Sequence, residues 1–105
     1  CMATEVLELD TAQLDEVIKA DKALVIFYSK TCGPCKMLRF VLKDIAKGVD
    51  GVSIGEIDFD ANKDATAKYK VESYPTLLLF KKGEEVKRVK GLQQKPKVLQ
   101  MINEG

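Results

Sequence analysis

Residues 23–36 read ALVIFYSKTCGPCK, and this stretch decides the fold. Its first six residues are a continuous apolar run rich in β-formers, which predicts a central strand covered on both faces. Two cysteines follow. From Met37 to Ile45 apolar residues recur at helical spacing, so a helix is predicted to begin within the cysteine motif and to end near residues 47–48. The stretch therefore predicts a strand, a cysteine pair and a helix in succession.

The patterns on either side complete an alternating order of strands and helices. We predict a strand at 6–9, a helix from 10 or 11 to about 20, a strand at 52–59 and a short helix at 62–69. A hairpin of strands at 76–80 and 85–90 follows, and a last helix has Pro96 at its first position and buries Val98, Leu99 and Ile102. The order βαβαβαββα predicts an α/β protein, a three-layer α/β/α sandwich with a central mixed sheet. With 105 residues, 46% of them hydrophobic, and no linker or repeat, we expect a single domain over residues 1–105.

Composition and charge exclude several functional classes. The net charge is +1, so no global field attracts nucleic acid or an anionic membrane, and neither is an expected partner. The chain has no histidine, which removes the usual general base and the usual zinc nitrogen ligand and excludes most hydrolase mechanisms. No apolar run approaches the roughly 18 residues of a membrane span, and the acidic N-terminal segment does not resemble a signal peptide, so we expect a cytoplasmic protein. The excess of basic residues over 81–97 is interpreted as solvated surface, with an acidic partner protein as the alternative.

The cysteines point to redox chemistry. Three cysteines are too few, and odd in number, for a disulfide scaffold. Cys1 precedes Met2, so we expect Met2 to be the natural start and assign Cys1 no function. Cys32 and Cys35 are three positions apart at a helix start, where both sulfurs come within disulfide reach. The unpaired backbone N–H groups and the positive end of the helix dipole favour the thiolate at Cys32, which is the predicted nucleophile, and Lys36 adds positive charge.

The cysteine pair allows three interpretations. A zinc site needs two further ligands, which a chain without histidine does not supply, so no metal is expected. An inert structural disulfide would close a loop too short to constrain much of the unfolded chain. The pattern favours a reversible redox pair, in which Pro34 suits the first helical turn and Gly33 lets a partner's backbone approach.

The motifs CGPCKM at 32–37 and YPTLLLF at 74–80, together with Gly91 after the last strand, resemble the thioredoxin family over nearly the whole chain. The resemblance implies the thioredoxin fold and a protein-disulfide reductase that acts as an electron carrier. Cys32 would attack a target disulfide, and Cys35 would then resolve the mixed disulfide. The redox-active disulfide Cys32/Cys35 would be the working centre, with no bound metal or organic cofactor.

The same resemblance implies a substrate groove and partners. Pro75 would be a cis-proline facing the cysteines, the backbone at Tyr74 would bind an extended target segment, and Gly33 and Gly91 would flank the groove. Electrons would come from a thioredoxin reductase, and oxidised target proteins would accept them. We expect the protein to be a monomer.

Four positions depart from the family pattern. Thr31 stands where the family usually has a tryptophan before the first cysteine, and Tyr28 stands at a second usual tryptophan, so the contact surface is altered. Ile26 replaces the buried aspartate taken to assist deprotonation of Cys35, and Glu56 replaces the lysine that pairs with this aspartate. One hypothesis is that Glu56 accepts the Cys35 proton from a position next to Ile26. The alternative is that Glu56 is an edge residue pointing into water.

These departures keep two other functional interpretations open. One is a specialised relative that serves a single dedicated redox partner. The other is a binding module with the same fold in which the cysteines are incidental.

Overall fold

Five strands form one mixed sheet in the part of the chain that the computed structural model describes, residues 6–49 and 51–104. They are β1 (Val6–Leu9), β2 (Ala23–Tyr28), β3 (Ser53–Asp58), β4 (Thr76–Lys81) and β5 (Glu84–Lys90). Their order is β1-β3-β2-β4-β5, with β3 parallel to both of its neighbours and β4 antiparallel to both of its own. The predicted mixed sheet and the central position of β2 are therefore confirmed. Cys1 and Met2 lie outside the described residues.

Helices cover both faces of this sheet and complete the three layers. They are α1 (Thr11–Val17), α2 (Gly33–Ala46), α3 (Lys63–Lys68) and α4 (Lys95–Glu104). Because successive side chains of a strand point to opposite faces, β2 contributes Leu24 and Ile26 to the core beneath α2 and α4. Its Val25 and Phe27 enter the core beneath α1 and α3. None of the helices in the described ranges is long and apolar enough to cross a bilayer.

The helix that carries the cysteines begins where the sequence predicts, with Cys32 as N-cap, and continues to Ala46. Met37 departs from the predicted buried face, because it is 60% exposed while Leu38 is fully buried. Adjacent helical residues are separated by about 100° around the axis, so the two cannot share one face.

The other three helices differ from prediction at their ends, with α3 one residue shorter at each end than the predicted 62–69. The first has Asp10 as N-cap in a reciprocal capping box with Gln13, but it ends at Val17, before the predicted residue 20. There the N–H groups of Lys19 and Ala20 bond three residues back, which closes the helix with a tighter turn. The last helix begins at Lys95, one residue before Pro96.

Candidate redox site

The two cysteines of the motif form a disulfide at the start of α2, with their Cα atoms 5.3 Å apart. Cys32 is the N-cap, and its Sγ accepts a hydrogen bond from the Cys35 backbone N–H at 3.1 Å. Pro34 lies in the first turn, where its missing N–H costs no helical bond. Cys32 is partly buried, whereas Cys35 is fully buried. An attacking group from outside can therefore reach Cys32 and not Cys35.

An apolar cluster surrounds the inner cysteine. Cys35 shares this cluster with Ile26 and Tyr28 of β2 and with Leu38 and Leu42 of its own helix. Ile26 is fully buried, so the position that carries an aspartate in the family pattern is occupied here by a core side chain.

The segment before β4 has the predicted proline conformation. The Tyr74–Pro75 peptide bond is cis, and Pro75 is buried while Tyr74 is exposed. The Tyr74 ring meets the ring of Phe59 edge-on at 5.1 Å between centroids. Gly91 has φ of 85°, a conformation that favours glycine, and its N–H donates to the Pro75 carbonyl oxygen at 2.8 Å. The structure therefore brings Pro75 and Gly91 together.

An open depression of about 340 Å³ lies beside the outer cysteine and is lined by Ser29, Lys30, Thr31, Cys32, Gly33, Lys36 and Arg39. Its rim is polar. The hydroxyl oxygens of Thr31 and Ser29 are 3.1 Å apart, and Ser29 donates to the Asp60 carboxylate at 2.9 Å. Apart from its chain neighbours and the backbone of its own helix, no heavy atom lies within 4 Å of the place a Cβ would occupy at Gly33, so a partner's backbone can approach there.

Glu56 is buried on β3, directly beside Ile26 of β2. The predicted neighbour is confirmed, and the alternative of a water-facing edge residue is wrong. The Arg39 guanidinium of α2 forms a bidentate ion pair with the Glu56 carboxylate: Nε donates to Oε2 at 2.8 Å and Nη2 donates to Oε1 at 2.9 Å. These hydrogen bonds raise the pKa of the Arg39 guanidinium further above its ordinary value.

Arg39 also joins two residues on the neighbouring strands. Its guanidinium carbon lies 4.0 Å above the Tyr28 ring, and Nη2 is 4.0 Å from a carboxylate oxygen of Glu8. The Tyr28 hydroxyl donates to the same Glu8 oxygen at 2.8 Å. Burial and this bond raise the pKa of Tyr28, and burial raises the pKa of Glu8. We call these four residues, Glu8, Tyr28, Arg39 and Glu56, the arginine network.

Sequence reasoning missed Arg39, although a signal was present. Arg39 follows Cys35 by four residues and precedes Leu42 by three, so helical spacing places it on the margin of the buried face. Ile26 on the neighbouring strand cannot pair with a carboxylate at position 56, so the cation that balances its charge had to come from another element. The charge pair of the family pattern is thus rebuilt with opposite polarity, carboxylate on β3 and cation on the cysteine helix.

A dithiol pair at a helix N-terminus, with one sulfur accessible and the other buried, defines a thiol-disulfide oxidoreductase. Exchange between a dithiol and a disulfide needs only the sulfurs themselves. Within the described ranges no cluster of cysteine and acidic side chains could hold a metal ion.

Comparison with known proteins identifies the family. The thioredoxin family profile matches residues 5–104. The thioredoxin of Chlamydia pneumoniae is 40% identical over 95 residues, which cover 90% of this chain and 93% of the relative. That of Staphylococcus haemolyticus is 37% identical over 99 residues, covering 93% and 95% of the two chains.

Solved structures of thioredoxins resemble this chain in fold as well. A mutant thioredoxin from Halobacterium salinarum has a TM-score of 0.92 at 34% identity, covering 99% of this chain and 93% of that chain. The Fasciola hepatica thioredoxin has a TM-score of 0.86 at 30% identity, covering 94% and 98%. The chain belongs to the thioredoxin family and has the thioredoxin fold. It is a protein-disulfide oxidoreductase that acts on oxidised protein targets, and the Cys32–Cys35 disulfide is its redox centre.

Proposed function

We propose that this protein is a general protein-disulfide reductase and electron carrier of the cytoplasm, which a thioredoxin reductase recharges from NADPH or another low-potential donor. One observation carries the proposal: the accessible sulfur of Cys32 is joined to the fully buried sulfur of Cys35. A reductase of many targets needs one sulfur that targets reach and a second that they do not, because the second must break the mixed disulfide from within. The cytoplasm supplies the reducing surroundings that such a carrier requires.

The reaction starts from the dithiol form. The Cys32 thiolate attacks one sulfur of the target disulfide, so a new S–S bond forms to Cys32 and the other target sulfur leaves and takes up a proton. Cys35 then loses its proton and attacks the Cys32 sulfur, which regenerates the Cys32–Cys35 disulfide and releases the second target thiol. Two electrons pass to the target, and the reductase returns two electrons to the chain.

The target segment is proposed to lie across Cys32, Thr31 and Gly33, with its backbone paired like an added strand to the backbone at Tyr74. The exposure of Tyr74 and the hydrogen bond between Gly91 and Pro75 support this groove. Lys36 lines the same depression as Cys32, and its positive charge favours the attacking thiolate.

Glu56 as proton acceptor for Cys35 stays a prediction. Its burial beside Ile26 and its bonds to the helix that carries Cys35 support a role at the site. Each carboxylate oxygen keeps a further lone pair after it accepts a bond from Arg39. Measuring the rate at which Cys35 resolves a preformed mixed disulfide at Cys32 as a function of pH in Glu56→Gln, with release of the target thiol as the readout, decides the question. A profile identical to that of the exposed control Glu16→Gln would remove the proton role.

We also propose that residues 1–105 form one thioredoxin domain that works as a monomer. The match of the family profile to residues 5–104 supports a single domain. Light scattering at micromolar concentration tests the monomer, since a molar mass near twice 11.7 kDa would contradict it.

The equilibrium reduction potential of the cysteine pair tests the reductase role. We expect a value near or below about −250 mV, the range in which thioredoxins lie, whereas a value above about −200 mV would indicate an oxidant or isomerase. The wild type should complete the exchange with a target disulfide. Cys35→Ser should stop at the mixed disulfide and Cys32→Ser should not react, which would assign the two roles. If the double variant Cys32→Ser, Cys35→Ser kept its biological activity, the protein would instead be a binding module.

The second candidate is a reductase dedicated to one partner. The polar Thr31 side chain beside Cys32, in place of the usual tryptophan, favours it. Turnover with a generic protein disulfide separates the two candidates, because a dedicated reductase would turn such a substrate over slowly despite a low potential.

A further inference from the structure

The outward face of α2 carries exposed apolar and basic side chains close to the reactive cysteine. Phe40 is 67% exposed and Met37 is 60% exposed, more than any other large apolar side chain in the described ranges. Lys36 and Lys43 lie on either side of Phe40, four residues before it and three after it, so the three share one stripe of the helix. We call Lys36, Met37, Phe40 and Lys43 the α2 patch.

The α2 patch is continuous with the redox site. Lys36 and Arg39 line the depression that contains Cys32, and they also line a second depression of about 150 Å³ together with Phe40 and Lys43. A protein whose disulfide reaches Cys32 therefore has surface within reach of Phe40. Exposed apolar side chains grouped beside a reactive centre are typical of a contact surface.

The positive charge of the α2 patch is not balanced within the described part of the chain, where neither lysine forms an ion pair with a carboxylate. Some other lysines do form such pairs. Lys95 pairs with Asp44 at 2.8 Å, and Lys87 pairs with Glu104 at 2.8 Å. The α2 patch thus offers two unpaired cations around an aromatic side chain.

We propose that the α2 patch is the docking surface for a redox partner protein that presents apolar side chains bordered by carboxylates next to its disulfide. This inference rests on the proposed reductase function and specifies the partner. Phe40 is the apolar anchor, because binding energy concentrates on aromatic side chains enclosed by a polar rim. Lys43 and Lys36 attract the carboxylates, which gives the encounter its orientation and speed.

Three disulfides test the docking surface. Two are synthetic cystine peptides of equal length whose flanks contain either leucine and glutamate or leucine and lysine, and the third is the small neutral bis(2-hydroxyethyl) disulfide. The measurement is the second-order rate constant of mixed-disulfide formation by the reduced chain. We expect the acidic peptide to react about 10-fold faster than the basic one at low ionic strength, with the difference shrinking as salt is added.

Variants locate the effect. Phe40→Ser should lower the rate with the acidic peptide about 5-fold, and Lys43→Glu should remove its advantage over the basic peptide. The matched controls are Val86→Ser and Lys81→Glu, which change an exposed apolar and an exposed basic residue of β5 and β4. Equal rates for the two peptides, or equal effects of Phe40→Ser and Val86→Ser, would overturn the docking surface. Failure to react with bis(2-hydroxyethyl) disulfide would instead contradict the reductase function.

Discussion

Removing the charge of Arg39 should destabilise the protein strongly, because Glu56 would stay buried without its cation. The Arg39 side chain is 27% exposed and that of Glu56 is 7% exposed. Breaking a fully buried ion pair by removing one partner costs about 3–5 kcal/mol, and the partial exposure of the guanidinium reduces this. We therefore expect Arg39→Met to lower the free energy of unfolding by about 2–3 kcal/mol, including the contact with the Tyr28 ring.

Urea unfolding of the oxidised protein measures the effect. In a thermal melt of a domain of about 100 residues, the same loss corresponds to a fall in Tm of roughly 10–15 °C. The control is Lys19→Met, which breaks the exposed ion pair with Glu16 and should cost less than about 0.5 kcal/mol. Combining Arg39→Met with Glu56→Gln should cost clearly less than the sum of the two single changes, because the second variant removes the unpaired charge that the first creates.

Two results would refute this reasoning. A loss for Arg39→Met no larger than that for Lys19→Met would mean that water solvates Glu56 adequately without its cation. Additive effects of the Arg39 and Glu56 substitutions would mean that their hydrogen bonds contribute no coupling to stability.

Three further predictions concern other residues. The hydrogen bond from the Tyr69 hydroxyl, and then Lys68, lower the pKa of Asp15. The ionised Asp15 therefore stabilises the fold at neutral pH, and this contribution is lost as the pH falls below 3.8, the ordinary pKa of the group. The difference in free energy of unfolding between Asp15→Asn and wild type should accordingly shrink when it is measured at progressively lower pH. Burial and then the bond to Glu8 raise the pKa of Tyr28, so Glu8→Gln should move part of the ultraviolet tyrosinate titration to lower pH, and an unmoved curve would count against that bond. Gly91→Ala should cost about 1–2 kcal/mol in urea unfolding, because φ there is 85°, and a neutral effect would mean that the turn relaxes.

Much of the fold follows from the sequence because its signals are local. The apolar run at 23–28 requires burial on both faces, and the structure indeed places this strand in the centre of the sheet. Helical periodicity located α2, and the cysteine spacing predicted its disulfide. The ends of the helices were not predicted to the residue, because the last turn of α1 tightens through backbone hydrogen bonds that leave no pattern in the side chains.

The arginine network shows what local signals leave out. Its bonds join residues that are 17 and 20 positions apart, so their geometry depends on how α2 packs across β1, β2 and β3. The sequence showed that Ile26 and Glu56 depart from the family pattern. Whether Glu56 is solvated or paired depends on the strand order and on the Arg39 side chain of α2, which bonds to it.

By itself, the sequence determined the order of strands and helices and the position of both cysteines at a helix start. These properties depend on periodicity, capping and spacing within a few residues. Only the tertiary structure decided that Glu56 is buried against Arg39 and that Phe40 and Met37 are exposed beside the redox site. Burial and ion pairing arise when elements distant in sequence come together, because only then are water and partners excluded or brought within reach.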